Sequence, residues 1–105
     1  MNVRFEYLYR DAGNFKNWGE VVFSNPHNIN SSLVATMAKK VLIDQAYFVA
    51  TKADVPDLHF REHDEQLDHG WHEFHSCQPT EDVPNDPHGR NIEEFIESLC
   101  DASKI

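Results

Sequence analysis

Basic residues are scarce in this chain. Nine lysines and arginines stand against 18 aspartates and glutamates, giving a formal net charge of −9 over 105 residues. That balance excludes a broad phosphate-holding face, so nucleic acid is not an expected partner. Long apolar runs are missing as well. No stretch approaches the roughly 20 residues that a membrane span requires, so no membrane association is expected. The start, Met1-Asn2-Val3-Arg4-Phe5-Glu6, has neither the basic opening nor the apolar stretch of a signal peptide. Only two cysteines occur, Cys77 and Cys100, and they form no Cys-x-x-Cys pair. They read as free thiols, which points to the cytoplasm. The four glycines build no phosphate-binding loop, and no Gly-x-Ser-x-Gly nucleophile elbow is present. Repeats, low-complexity tracts and long linkers are absent too, and the length suits one domain spanning residues 1–105.

What is present supports a packed core: 40% of residues are hydrophobic and 11% aromatic. The charge is divided unevenly. Residues 1–52 hold four acids and six bases, a sum of +2, whereas residues 53–105 hold fourteen acids and three bases, a sum of −11. Six of the seven histidines also lie in the second half. Such asymmetry speaks to partners more than to fold.

Residues 2–9 alternate, with Val3, Phe5, Tyr7 and Tyr9 on one side, and predict a half-buried strand. Asp11-Ala12-Gly13-Asn14 is turn chemistry, and Glu20–Ser24 predicts a second strand that returns as a hairpin. A helix is predicted over Ser32–Ile43, capped from Asn30–Ser32, with Leu33, Val34, Met37, Ala38, Val41 and Leu42 as its apolar stripe. Ala46–Thr51 reads as a buried third strand, Leu58–Arg61 as a fourth and Trp71–Cys77 as a fifth pairing back on it. Prolines 79, 84 and 87 make residues 78–90 an irregular crossing. A final helix follows, in which Asn91 and Glu94 form a capping box and Ile92, Phe95, Ile96, Leu99 and Cys100 fill one face. The expected class is α+β: a largely antiparallel sheet of four to five strands with two helices on one face, in the order β-β-α-β-(β-β)-α.

The run from Tyr9 to Gly19 (YRDAGNFKNWG) and the tetrapeptide Trp71-His72-Glu73-Phe74 resemble a pattern in short uncharacterised bacterial proteins. The resemblance implies a free-standing single-domain protein and carries no activity to transfer.

Two surfaces are candidates for function. Between Asp57 and His75 the chain offers five histidines and six carboxylates. Neutral imidazole with carboxylate is the ligand set of divalent transition metals such as zinc, iron, nickel or manganese. The candidate ligands are His59, His69, His72, Glu73 and His75. Their density is high, but the spacing matches no known metalloprotease helix. If 71–77 is a regular strand, Trp71, Glu73, His75 and Cys77 share a face and His72 lies opposite. The second surface is the Asp11–Trp18 connection, where Asn14, Phe15, Lys16 and Trp18 could anchor a ligand or tuck beneath the core.

Two functions follow. The first is a small acidic cytoplasmic module, non-catalytic, that binds a protein with a basic surface, complementary charge speeding encounter. The second is a metal-binding protein or small metal-dependent enzyme built on residues 57–75. The sequence favours the first, because density without spacing is weak grounds for a metal and so short a chain leaves little room for a water-excluding active site. A homodimer through an exposed strand edge is a further expectation.

Overall fold

The computed structural model describes residues 1–60 and 70–103. Six elements follow in chain order: β1 (Asn2–Arg10), β2 (Lys16–Phe23), α1 (Ser31–Val41), β3 (Tyr47–Phe48), β4 (His72–Thr80) and α2 (Ile92–Ala102). The four strands make one antiparallel sheet in the order β2-β1-β4-β3, with both helices on its apolar face. The expected α+β class is therefore observed, with four strands. Among the described residues no helix is long and apolar enough to cross a membrane.

Alternation in β1 sends Val3, Phe5, Tyr7 and Tyr9 to full burial. Val3, Phe5 and Tyr7 meet Val21 and Phe23 of β2, Val34 and Ala38 of α1, and Ile92, Phe95 and Leu99 of α2 in one core. Phe5 is its hub, with ring centroids 4.8 Å from Phe95, 5.4 Å from Phe74 and 5.9 Å from Phe48. Both helix starts behave as their sequences predict. Asn30 caps α1 by accepting the Ser32 N–H. Asn91 and Glu94 close a reciprocal capping box on α2.

Four expectations need correction. Strand β2 starts at Lys16, not Glu20, so Lys16, Asn17 and Trp18 belong to the ladder and the turn shrinks to residues 11–15. The third strand is two residues long rather than six. After Phe48 the chain folds into successive turns, closed by hydrogen bonds from Ala53 N to Val49 O and from Val55 N to Ala50 O, that bury Ala50, Ala53 and Val55. Residues 58–60 form no strand, because the Leu58 N–H bonds a side chain instead of a ladder carbonyl; Arg61 lies outside the described residues. Finally, β4 runs on to Thr80 and pairs with β1 and β3, and among the described residues not with 58–60. Pro79 is tolerated within β4 because, opposite Val3, its missing N–H would face away from β1.

One irregularity shapes everything that follows. The β1–β4 register steps from Glu6 opposite Ser76 to Tyr7 opposite Phe74, leaving His75 as an extra residue. This β-bulge reverses the facing of all β4 residues before it. Cys77 then shares the core side with Phe74 and His72, while Glu73 points to the other face and His75 is exposed.

Candidate metal centre

The bulge drives His72 into the core, where it is 1% exposed. Its ring lies 5.2 Å from Tyr9, 6.1 Å from Tyr7 and 6.1 Å from Phe48. A buried imidazole needs a polar partner, and the segment after the 50–55 turns brings one. The Leu58 N–H donates to His72 Nε2 at 2.9 Å, so Nε2 carries a lone pair and the ring proton sits on Nδ1.

Three contacts seat that segment on the sheet. Tyr7 Oη donates to Pro56 O at 2.7 Å, Asn17 Nδ2 donates to Leu58 O at 3.1 Å, and the Leu58 side chain rests on Gly19. A Cβ at residue 19 would stand 2.9 Å from a Leu58 methyl and 3.3 Å from the Tyr7 ring, so a side chain there would push the Leu58 methyls off their present seat. The Tyr7 phenol is pushed above its ordinary range by burial first and the charge of Asp57 second, so it remains a donor.

The flanking residues then turn toward His72. Asp57 Oδ1 accepts the His59 N–H at 2.9 Å and lies 2.9 Å from His59 Nδ1 and 3.5 Å from His72 Nε2. One ligand atom each from Asp57, His59 and His72 lies within 4.8 Å of the others. A metal about 2.1 Å from each ligand would need ligand–ligand separations of about 3.0–3.4 Å, so the cluster is close to closure. His59 is held edge-on to Tyr9 at 4.5 Å and Phe60 packs near the same ring at 6.1 Å, which gives the cluster aromatic walls. His72 is buried, His59 half-buried and Asp57 exposed, so the open side of the triad faces solvent through the carboxylate.

Of the five ligands expected from the sequence, His59 and His72 come together. Glu73 does not join them: on the opposite face it takes Arg10 in a two-pronged ion pair, Nε to Oε1 at 2.9 Å and Nη2 to Oε2 at 3.2 Å. His75 packs edge-on against Trp18 at 4.9 Å, away from the triad. His69 lies outside the described residues. Asp57 was absent from the expected set, and the signal that marks it is the Asp-x-His step to His59, which lets one carboxylate oxygen reach both the backbone and the ring two residues on. Cys77 is buried, and its thiol is pushed up to about 12, by burial first and by Glu6 second, so it rests protonated.

The second candidate surface is only partly a loop. Asn14 holds a left-handed conformation, φ 67°, and accepts from Arg10 Nη1. Phe15 and Lys16 are exposed, and Trp18 is 54% exposed.

Fold and cluster together define a small α+β protein with a His–His–Asp triad at one end of an antiparallel sheet. No known protein family, curated protein or solved structure matches the chain.

Proposed function

We propose that this protein binds one divalent transition-metal ion through Asp57, His59 and His72. The observation that carries the reading is the convergence of three ligand atoms of suitable type within 4.8 Å, one of them on a fully buried histidine. Two imidazoles and one carboxylate suit zinc, iron, nickel or manganese better than calcium or magnesium. Binding would displace the Leu58 N–H from His72 Nε2, a loss of about 1 kcal/mol that a metal–imidazole bond outweighs. Free Cys77 and Cys100 fit a reducing, cytoplasmic setting.

Titration of untagged protein with zinc, followed by calorimetry and thermal melting, tests this. One equivalent should bind, and a free zinc concentration a hundredfold above Kd should add about 2.7 kcal/mol of stability. Zinc uptake well below one equivalent, or uptake unchanged in H59A, removes the triad from consideration.

The acidic half supports a second reading, docking of a basic protein partner. The solvent side of α2 carries Glu93, Glu94, Glu97 and Asp101, and the helix has no basic residue. Such docking should weaken between about 50 and about 500 mM salt. A cell lysate from which no basic protein is retained at low salt speaks against it.

A further inference from the structure

We propose that the free part of the β2 edge pairs antiparallel with the same segment of a second copy of this chain, centred on Trp18. Strand β2 is one border of the sheet. Its far end is covered from within. Val22 donates to Asn85 Oδ1 at 2.8 Å and accepts from Asn85 N at 3.0 Å, and Ser24 bridges to Asn91. These bonds show that Val22 turns its N–H and C=O away from β1. The β1–β2 register is unbroken, so Glu20, Trp18 and Lys16 turn theirs outward too. No backbone partner meets those three residues among the described residues.

This edge is complementary to itself. Antiparallel pairing that sets Trp18 opposite Trp18 sets Lys16 opposite Glu20 at both ends. All three pairs then join residues whose hydrogen-bonding groups face outward, which is the parity a ladder needs. Lys16, Trp18 and Glu20 project from the same face of the strand, so the register yields one aromatic pair and two opposite-charge pairs. Trp18 is 54% exposed and the Glu20 side chain 57%, although Glu20 already lies 3.2 Å from Arg4 Nε. A lysine on an edge strand ordinarily discourages pairing. Here its spacing of four from a glutamate, about a central aromatic, turns it into half of a matched pair. The two sheets would join into one of eight strands. The ladder is short and its buried area lies below that of a standard permanent interface, so the dimer should be reversible.

Sedimentation velocity from about 5 to about 500 μM separates the outcomes. The wild type should move from the 12.2 kDa monomer toward twice that mass as concentration rises. The variant K16E sets glutamate against glutamate at both ends and should weaken dimerisation roughly tenfold. The double swap K16E/E20K restores opposite charges and should recover dimerisation, with thermal melting of each variant confirming an intact fold. A wild type that stays monomeric throughout overturns the proposal and leaves Lys16 as a guard against edge pairing. A folded K16E that dimerises as tightly as wild type, or a folded double swap that fails to recover, overturns it equally.

Discussion

Replacing Arg90 with methionine should cost about 3–5 kcal/mol of folding stability, the range for breaking one side of a buried ion pair. Arg90 is the most heavily used cation among the described residues. Its Nε and backbone N–H reach Asp86 Oδ2, both at 2.9 Å, and Nη2 reaches Oδ1 at 3.0 Å. The same guanidinium donates to Ala53 O at 2.7 Å and Asp54 O at 2.9 Å. Its plane sits over Phe95 at 5.1 Å and Phe23 at 5.7 Å, on a pair of rings stacked at 4.1 Å. The Arg90 side chain is 11% exposed and that of Asp86 1%. One side chain thus fastens the 53–54 turn, the irregular crossing at Asp86 and the aromatic core between β2 and α2. Methionine fills much of the volume but leaves the buried Asp86 carboxylate without its counter-charge, held by backbone N–H groups alone, and two carbonyls without their guanidinium donor. R90K keeps the charge but not the planar fork and should fall between the two. Urea unfolding measures all three proteins, and a loss below about 1 kcal/mol for R90M would show that the clamp is dispensable.

The same pair predicts an acid limb. Burial alone would raise the Asp86 carboxyl, but hydrogen bonds from Arg90 and its positive charge outweigh it and hold the group below the usual carboxylate range. A depressed folded-state value contributes stability that is complete above the unfolded value near 4 and lost as pH falls through the folded one. Wild-type stability should therefore decline progressively below about pH 4, and R90M should lack the part of that contribution which the guanidinium supplies, the backbone bonds to Asp86 remaining.

The second large effect separates two roles of His72. Its Nε2 accepts the Leu58 N–H and lies 3.5 Å from Asp57 Oδ1 in the proposed metal triad. Glutamine places a carbonyl oxygen near the Nε2 position and can accept the same N–H, yet it is a poor ligand for zinc. The variant H72Q should stay within about 1 kcal/mol of wild-type stability while losing at least about 100-fold in zinc affinity; loss of an outer-shell partner alone already costs 10–100-fold. Leucine can do neither. H72L should lose zinc binding and a further 1–3 kcal/mol, roughly, because the Leu58 N–H is left unpaired beside a buried apolar group. If H72Q keeps wild-type zinc affinity, His72 is a structural acceptor only and the triad is not the metal site. Equal stability of H72L and wild type would show that the Leu58 bond does not anchor residues 56–60.

Much of the fold is legible in the sequence. Val3, Phe5, Tyr7 and Tyr9 repeat at a period of two, which only an extended chain with one buried face satisfies. Asn91 and Glu94 announce the start of α2 because each side chain reaches the other's backbone within a single turn. These signals are local: the residues that cause them lie within six positions of one another. The short β3 was less legible, since Ala46–Thr51 has strand composition and only tertiary packing of Ala50, Ala53 and Val55 decides that it turns. Arg90 was not legible at all. Asp86 stands four residues before it, but outside any helix, and its carbonyl partners lie 36 and 37 positions away.

The candidate site divides the same way. Composition alone placed the histidines and carboxylates in residues 57–75 and identified the chemistry they share. It could not sort them, because sorting depends on which side of the sheet each residue faces. A single inserted residue at His75 reverses that facing, sending His72 inward and Glu73 out to Arg10. The bulge follows from how β1 and β4 align across some 70 residues of intervening chain. By itself the sequence determined the local elements, the helix caps and the acidic, histidine-rich composition of the second half. Only the tertiary structure decided that Asp57, His59 and His72 meet, because their meeting depends on the bulge in β4 and on Gly19 admitting Leu58 against the sheet.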